Sequence, residues 1–237
     1  MLVDVGAAKV RKYASRESGD TLEMVERPHG GISFVLADGQ RSGRAAKLIS
    51  NIAARKAVTL LAEGARDGVA ARAAHDYLFS VRRGQVRADL QILSVDLQTR
   101  TLVISRNTEC PALLIDGAAL RWLDEPAQPI GIYRQTKPVI AEYPLKVNLG
   151  VVIFTDGLVK AGLRKGERID LYAEVKALLA EGVAATSAQA LADALLARAI
   201  DLEGGLARDD MSVVALLVRP HVKPQDVRRL HVEFPVP

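Results

Sequence analysis

Between residues 45 and 61 the apolar side chains change their rhythm. Ala45, Leu48, Ile49, Ile52, Ala53, Ala57, Leu60 and Leu61 recur at intervals of three and four, with Arg44, Lys47, Asn51, Arg55, Lys56 and then Glu63 on the opposite face. That spacing predicts an amphipathic helix with one dry side, and Gly64 is placed to end it. Asp67 is placed to cap a second helix to about Ser80, so the two form a helical hairpin. Before them the chain reads as strands, Val3–Tyr13, Thr21–Glu26 and Ile32–Ala37, the last two joined by a turn at Pro28, Gly30 and Gly31. After them, residues 90 to 154 are again strand-like: Leu93, Val95 and Leu97 alternate with polar neighbours, and Thr101–Ser105, Ala112–Ile115, Leu120–Leu123 and Pro138–Tyr143 follow. Val151–Phe154 is apolar throughout, as a strand covered on both faces must be. Helices at Asp170–Glu181 and Ser187–Ile200 and a final strand, Met211–Val218, complete the pattern. Strands, helix pair, strands, helix pair, strand: an α/β (α+β) sandwich in which helices cover sheets accounts for this order.

With 237 residues, 49% of them hydrophobic, the chain can fill one sizeable core, built from aliphatic side chains because aromatics are only 4%. We expect one domain over residues 1–220, followed by a tail or edge strand at 221–237. A single cysteine, Cys110, excludes an intrachain disulfide and points to a reducing compartment. The opening MLVDVGAAKV lacks the basic-then-apolar pattern of a secretory signal, and no apolar run approaches the ~20 residues that span a bilayer. The expectation is a soluble, cytoplasmic protein with no membrane partner. Residues 41–87 carry ten Arg and Lys against Glu63, Asp67 and Asp76, a local charge of +7 in a chain of net +4. Such a face suits an acidic protein, a phosphate or plain solvent; with Tyr77 and Phe79 its only aromatics, the stacking that nucleic acid wants is nearly absent.

The acids are placed more tellingly. Asp38 directly follows the strand Ile32–Ala37, Asp156 directly follows Val151–Thr155, Asp209 and Asp210 stand just before Met211–Val218, and Asp20 opens the strand at Thr21. Any one Asp-Gly pair reads equally well as a turn. Four acids at strand edges instead suggest a shared site, where crowded carboxylates are stable only with cations between them. All-oxygen ligation selects hard ions such as magnesium or manganese. His29, His75, His221 and His231 have no metal-ligand spacing and read as surface or structural residues, Cys110 as a small buried one, and Trp122 as a packing residue.

The runs Ser18-Gly19-Asp20, Ala37-Asp38-Gly39-Gln40-Arg41-Ser42-Gly43, Phe154-Thr155-Asp156-Gly157-Leu158 and Arg208-Asp209-Asp210-Met211-Ser212-Val213 resemble the PPM superfamily of metal-dependent protein phosphatases. Pro111–Ile115 and Gln128–Ile132 are similar to its bacterial SpoIIE/RsbU/RsbX branch. The resemblance implies an αββα sandwich of two mainly antiparallel sheets flanked by helical pairs. It implies two Mn2+ or Mg2+ ions, with Asp38 bridging them, the Gly39 carbonyl on one, Asp156 and Asp209 on the other, and Asp20 contributing directly or through water. Asp210 would support these ligands from behind. It also implies a phosphorylated regulatory protein as substrate, of the STAS-domain, anti-anti-sigma type. The family run is Asp-Gly-x-Gly-x-Gly, and here the middle glycine is Arg41. Arg41 is either strained, if the position needs positive φ, or a phosphate grip; Arg16 is the nearest counterpart of the phosphate-binding arginine of other relatives. Two further readings compete: a catalytically weak binding module acting through the basic helices, and a phosphotransferase with an aspartate nucleophile. The second would want Asp-x-Asp where the chain has Asp38-Gly39-Gln40.

Overall fold

The computed structural model of the chain describes residues 1–183, 185–221, 227–233 and 235. The described residues form ten strands and two helical pairs in four layers. One sheet, ordered β1-β10-β9-β6-β7, comprises β1 (Leu2–Val10), β10 (Met211–Arg219), β9 (Leu149–Phe154), β6 (Ala112–Asp116) and β7 (Ala119–Leu123). The other, ordered β2-β3-β4-β5-β8, comprises β2 (Asp20–Glu26), β3 (Gly31–Gly39), β4 (Ala88–Asp96), β5 (Thr101–Asn107) and β8 (Val139–Pro144). Every ladder is antiparallel, and the layering is the expected αββα sandwich.

Three apolar layers hold it together. Leu36, Leu93, Val95, Ile104, Val151, Ile153, Val214 and Leu216 meet between the sheets. The alternate residues of the same strands, Val35, Ala37, Leu90 and Ile92, face outward against α1 (Gly43–Ala62) and α2 (Asp67–Arg82). On the far side Val152, Phe154, Val213 and Ala215 pack beneath α4 (Leu171–Leu178) and α5 (Ala188–Leu202). The period of two decides which layer each residue joins. Small residues let the helices close in: a Cβ on Gly6 of β1 would lie 2.2 Å from the Gln189 nitrogen of α5. Trp122 packs edge-on against Phe154, ring centres 6.3 Å apart.

Some boundaries move. The predicted 170–181 helix is shorter, Leu171–Leu178, with Asp170 accepting from the Ala173 N–H at 3.0 Å. Ser187 caps α5 by accepting from Ala190 N–H at 3.1 Å. A four-residue turn of helix, α3 (Asp156–Val159), and a 3-10 turn, Leu163–Lys165, escaped the apolar pattern because neither is long enough to show a period. The first strand ends at Val10 rather than Tyr13. Of the segment 221–237, the described residues join no strand and Arg228 pairs with Glu26 at 2.6 Å; the rest of that expectation lies outside the described residues. No helix among the described residues is long and apolar enough to cross a membrane.

Asp67 differs from its expected role. It is the first residue of α2, not the cap, and it turns inward. Its carboxylate pairs with Arg27 at 2.9 Å, accepts from Ser94, and is buried together with the guanidinium; Arg27 also donates to the Ala65 carbonyl at 2.8 Å. This pair fastens the helical hairpin to the sheet. Removing one partner strands a buried charge, so Arg27→Ala is expected to cost about 3–5 kcal/mol in urea unfolding, and Arg27→Leu/Asp67→Leu less than the single change.

Candidate metal centre

All the strand ends that carry the predicted acids lie at one end of the sandwich. In the β2–β3 ladder Asp20 stands opposite Asp38, and in the β3–β4 ladder Asp38 stands opposite Asp89. Leu36, two residues before Asp38, and Leu93, four after Asp89, belong to the layer between the sheets. By the period of two, the row Asp20–Asp38–Asp89 faces the same gap. Across it β9 ends at Phe154, and Asp156 follows as the first residue of α3. Phe154 is tied across the gap: its carbonyl accepts from Gln91 Nε2 at 2.7 Å and from Cys110 Sγ at 3.3 Å. Cys110 is buried, and burial holds its thiol well above its ordinary range, so it is no nucleophile.

Asp20 joins the two sheets. One carboxylate oxygen, Oδ2, accepts from Ser212 Oγ at 2.6 Å and from Thr155 Oγ1 at 3.0 Å, both belonging to the opposite sheet's side of the gap. The other, Oδ1, is buried with no partner among the described residues. The Asp20 carbonyl accepts from Lys9 Nζ at 2.5 Å and Lys47 Nζ at 2.7 Å. Lys47 is therefore a bracing residue, not a free cation of the basic face. Burial, with Lys47 alongside, lowers Lys9 to about 8. Lys56, another member of that face, lies over the Tyr77 ring at 5.6 Å.

Asp210 accepts from Lys12 N–H at 2.9 Å and from Gly19 N–H at 2.8 Å. It thus shapes the β1–β2 loop next to Asp20. Asp209 is exposed, and its carboxylate accepts from the Asp210 N–H at 3.0 Å. Asp156 pairs with Lys160 one turn on. Gly39 is demanded by packing: a Cβ there would lie 2.0 Å from the Ala46 carbonyl oxygen of α1. Gly157 is bound in the same way, 2.1 Å from the Asp210 carbonyl oxygen.

The electrostatics follow from crowding. Burial, then Asp20, Asp156, Asp89 and Asp209, push Asp38 up to about 9. Burial raises Asp20 to about 6 against the opposing pull of Ser212, Lys9 and Thr155. Burial likewise raises Asp89 to about 6, against a hydrogen bond from Thr108; Asp209, exposed as a residue, still loses part of the solvent around its carboxyl group, and that loss, followed by the Asp156 charge, raises it. The donors fit a hard divalent cation: oxygen only, negatively charged, with a buried unpartnered oxygen on Asp20. Among the described residues no three such side chains already converge on one point; Lys160 and the two hydroxyls hold the carboxylates apart, as unscreened like charges require. Asp89 was missed because its strand was read from Leu90, and only the ladder register reveals that it faces Asp38.

Arg41 has φ of 84°, in the left-handed region, and is exposed with no hydrogen bond or ion pair among the described residues. Arg16, also exposed, lies in the loop that touches the same turn: Ser15 Oγ would be 3.2 Å from a Cβ on Gly43.

This sandwich is the fold of the PP2C phosphatase domain. It superposes on that domain of SpoIIE from Bacillus subtilis, solved with a fragment of its regulatory domain, with TM-score 0.75 at 24% identity, covering 94% of this chain and 64% of that one. RsbX, solved in complex with magnesium, matches with TM-score 0.68 at 13% identity over 91% of this chain and 95% of its own. A family model described as Stage II sporulation protein E (SpoIIE) matches residues 28–219, and the chain belongs to that family. Stage II sporulation protein E of Priestia megaterium is 22% identical over 213 residues, 90% of this chain and 36% of that protein. The chain thus spans about a third of the length of that curated relative.

Two measurements check this site. Asp38, Asp20 and Asp89 have folded pKa values above the unfolded ~4, so their contribution to stability is full below pH ~4 and is lost as pH rises through about 6 and then about 9. Chelator-treated protein should show this decline in denaturant titrations, and millimolar manganese should flatten it. Arg41→Gly exchanges a left-handed side-chain residue, costing about 1–2 kcal/mol, for glycine's extra unfolded-state freedom, about 0.4–1 kcal/mol. A net gain of about 0.5–1 kcal/mol is expected in thermal unfolding.

Proposed function

We propose that this chain is a metal-dependent protein serine/threonine phosphatase whose substrate is a phosphorylated regulatory protein of the STAS-domain type. The observation that carries the reading is the row of carboxylates facing Asp156, Asp20 buried and Asp38 and Asp89 half-buried, with one Asp20 oxygen unpartnered among the described residues. A chain that only bound a partner would gain nothing from carboxylates crowded until one rises to about 9. The family match and a magnesium-bound relative of the same fold support the choice of ion.

In this reading Asp38 and the Gly39 carbonyl, with Asp156, Asp209 and Asp20, would hold two Mn2+ or Mg2+ ions. Such ions, when bound, supply an activated water and neutralise charge on a phosphoryl group. The chain's own residues do the rest. Thr155 and Ser212 fix the Asp20 carboxylate by one oxygen and leave the other without a partner among the described residues. Asp210 keeps the Arg16 loop in place through Lys12 and Gly19. Arg16 and Arg41, on adjoining loops, are available to grip the phosphate oxygens with forked guanidinium groups. The exposed Arg44 and Arg55 of α1 would attract an acidic phosphoprotein, an effect that salt weakens.

One experiment tests the reading. Phosphorylated STAS proteins from the same genome are compared with unrelated phosphopeptides, with manganese or with excess chelator. Expected are turnover only with metal, a salt-sensitive preference for one STAS protein that falls when Arg44 and Arg55 are neutralised, and at least about a hundredfold loss for Asp38→Asn. Undiminished turnover in chelator refutes the metal mechanism; equal rates on every substrate refute the STAS assignment.

A further inference from the structure

Asp89 belongs to none of the motif runs that carry the family likeness, yet the register makes it the third member of the carboxylate row. β3 is flanked at this end by β2 and β4, so Asp38 has Asp20 on one side and Asp89 on the other. Residues opposed in antiparallel strands have Cβ atoms about 4.5–5.5 Å apart, and like charges so placed destabilise the sheet. Gln91 and Leu93, two and four residues after Asp89, reach across to Phe154 and into the inter-sheet layer. Asp89 shares that face and is directed to the same gap as Asp38. Its own partners are a hydrogen bond from Thr108, the residue just beyond β5, and the nearby Arg87 charge, with no ion pair among the described residues. The Asp20 side of Asp38 is braced by Lys9, Lys47, Thr155 and Ser212. Among the described residues the Asp89 side has only the Thr108 hydroxyl and the nearby Arg87 charge to answer it, and Asp156 is the charge that acts on both Asp38 and Asp89.

We propose that Asp89 is a metal-holding residue, sharing a divalent cation with Asp38 and Asp156 on the side of Asp38 away from Asp20. The proposal rests on the metal-dependent reading of the site and adds a ligand to it. A central carboxylate flanked by one on each side can serve ions on both sides, and oxygen donors of this charge suit Mg2+ or Mn2+.

The test reads binding, not turnover. Manganese is titrated calorimetrically into the chelator-stripped full chain, and thermal unfolding is followed with and without the ion, for wild type, Asp89→Asn, Asp89→Glu and Thr108→Val. Loss of a ligand predicts manganese binding weakened at least about tenfold in Asp89→Asn. It also predicts a metal-free Tm that rises, because repulsion in the row is relieved, and a smaller manganese-induced rise. Asp89→Glu, which restores a carboxylate, should recover part of the affinity. Thr108→Val should lower the metal-free Tm and still bind manganese. A wild-type isotherm for Asp89→Asn overturns the proposal, as does a metal-free Tm that falls in Asp89→Asn as it does in Thr108→Val. Wild type that binds no manganese refutes the phosphatase reading itself, a result distinct from failure at Asp89 alone.

Discussion

Repulsion among carboxylates at the joint end of two sheets governs much of what surrounds them. Asp20, Asp38 and Asp89 lie side by side across three strands, and Asp156 faces them from the other sheet. Such a row persists only if the backbone holding it is rigid and its charge is answered from nearby. The rigidity comes from ladders that are buried on both faces, with Val151, Val152, Ile153 and Phe154 all inaccessible. The answering charge comes from Lys9, Lys47 and Lys160, and from hydroxyls that hold Asp20 and Asp89 without neutralising them. Stability is given up here, and the apolar layers on either side supply it.

The close-packed glycines belong to the same constraint. For Asp38 to stand at the mouth of the gap, α1 must begin immediately after β3 and fold back on it. Gly39 permits this because its missing Cβ lets the Ala46 carbonyl approach. Gly157 does the same for the Asp209–Asp210 segment beside Asp156. The glycines of these motifs therefore set distances between elements that carry acids, besides leaving a backbone carbonyl accessible. Arg41 shows the contrary case. Its backbone is left-handed, where glycine would be at ease, and its side chain projects freely at the edge of the site.

The basic stretch 41–87 divides on inspection of its contacts. Lys47 braces the Asp20 turn and Lys56 covers Tyr77, whereas Arg41, Arg44 and Arg55 remain exposed. A formal charge of +7 thus overstates what a partner could meet, because part of it is spent inside the fold.

Local sequence determined the secondary elements, their order and the layers they form, because hydrophobic period reports directly which side of a helix or strand is dry. It also singled out four acids by position, since Asp38 and Asp156 follow apolar runs and Asp20 and Asp209 precede them. What tertiary structure alone decided is which residues face one another. Asp89 is an unremarked acid in Arg87-Ala88-Asp89-Leu90 until the β3–β4 register sets it opposite Asp38. Asp67 reads as a cap until Arg27, forty residues earlier, draws it inward. Lys47 reads as a solvated charge until Asp20 offers its carbonyl. In each case the deciding partner lies in another element, and period carries no information about register between elements. A shift of one residue in pairing would have turned Asp89 toward α1 and α2 instead of the gap.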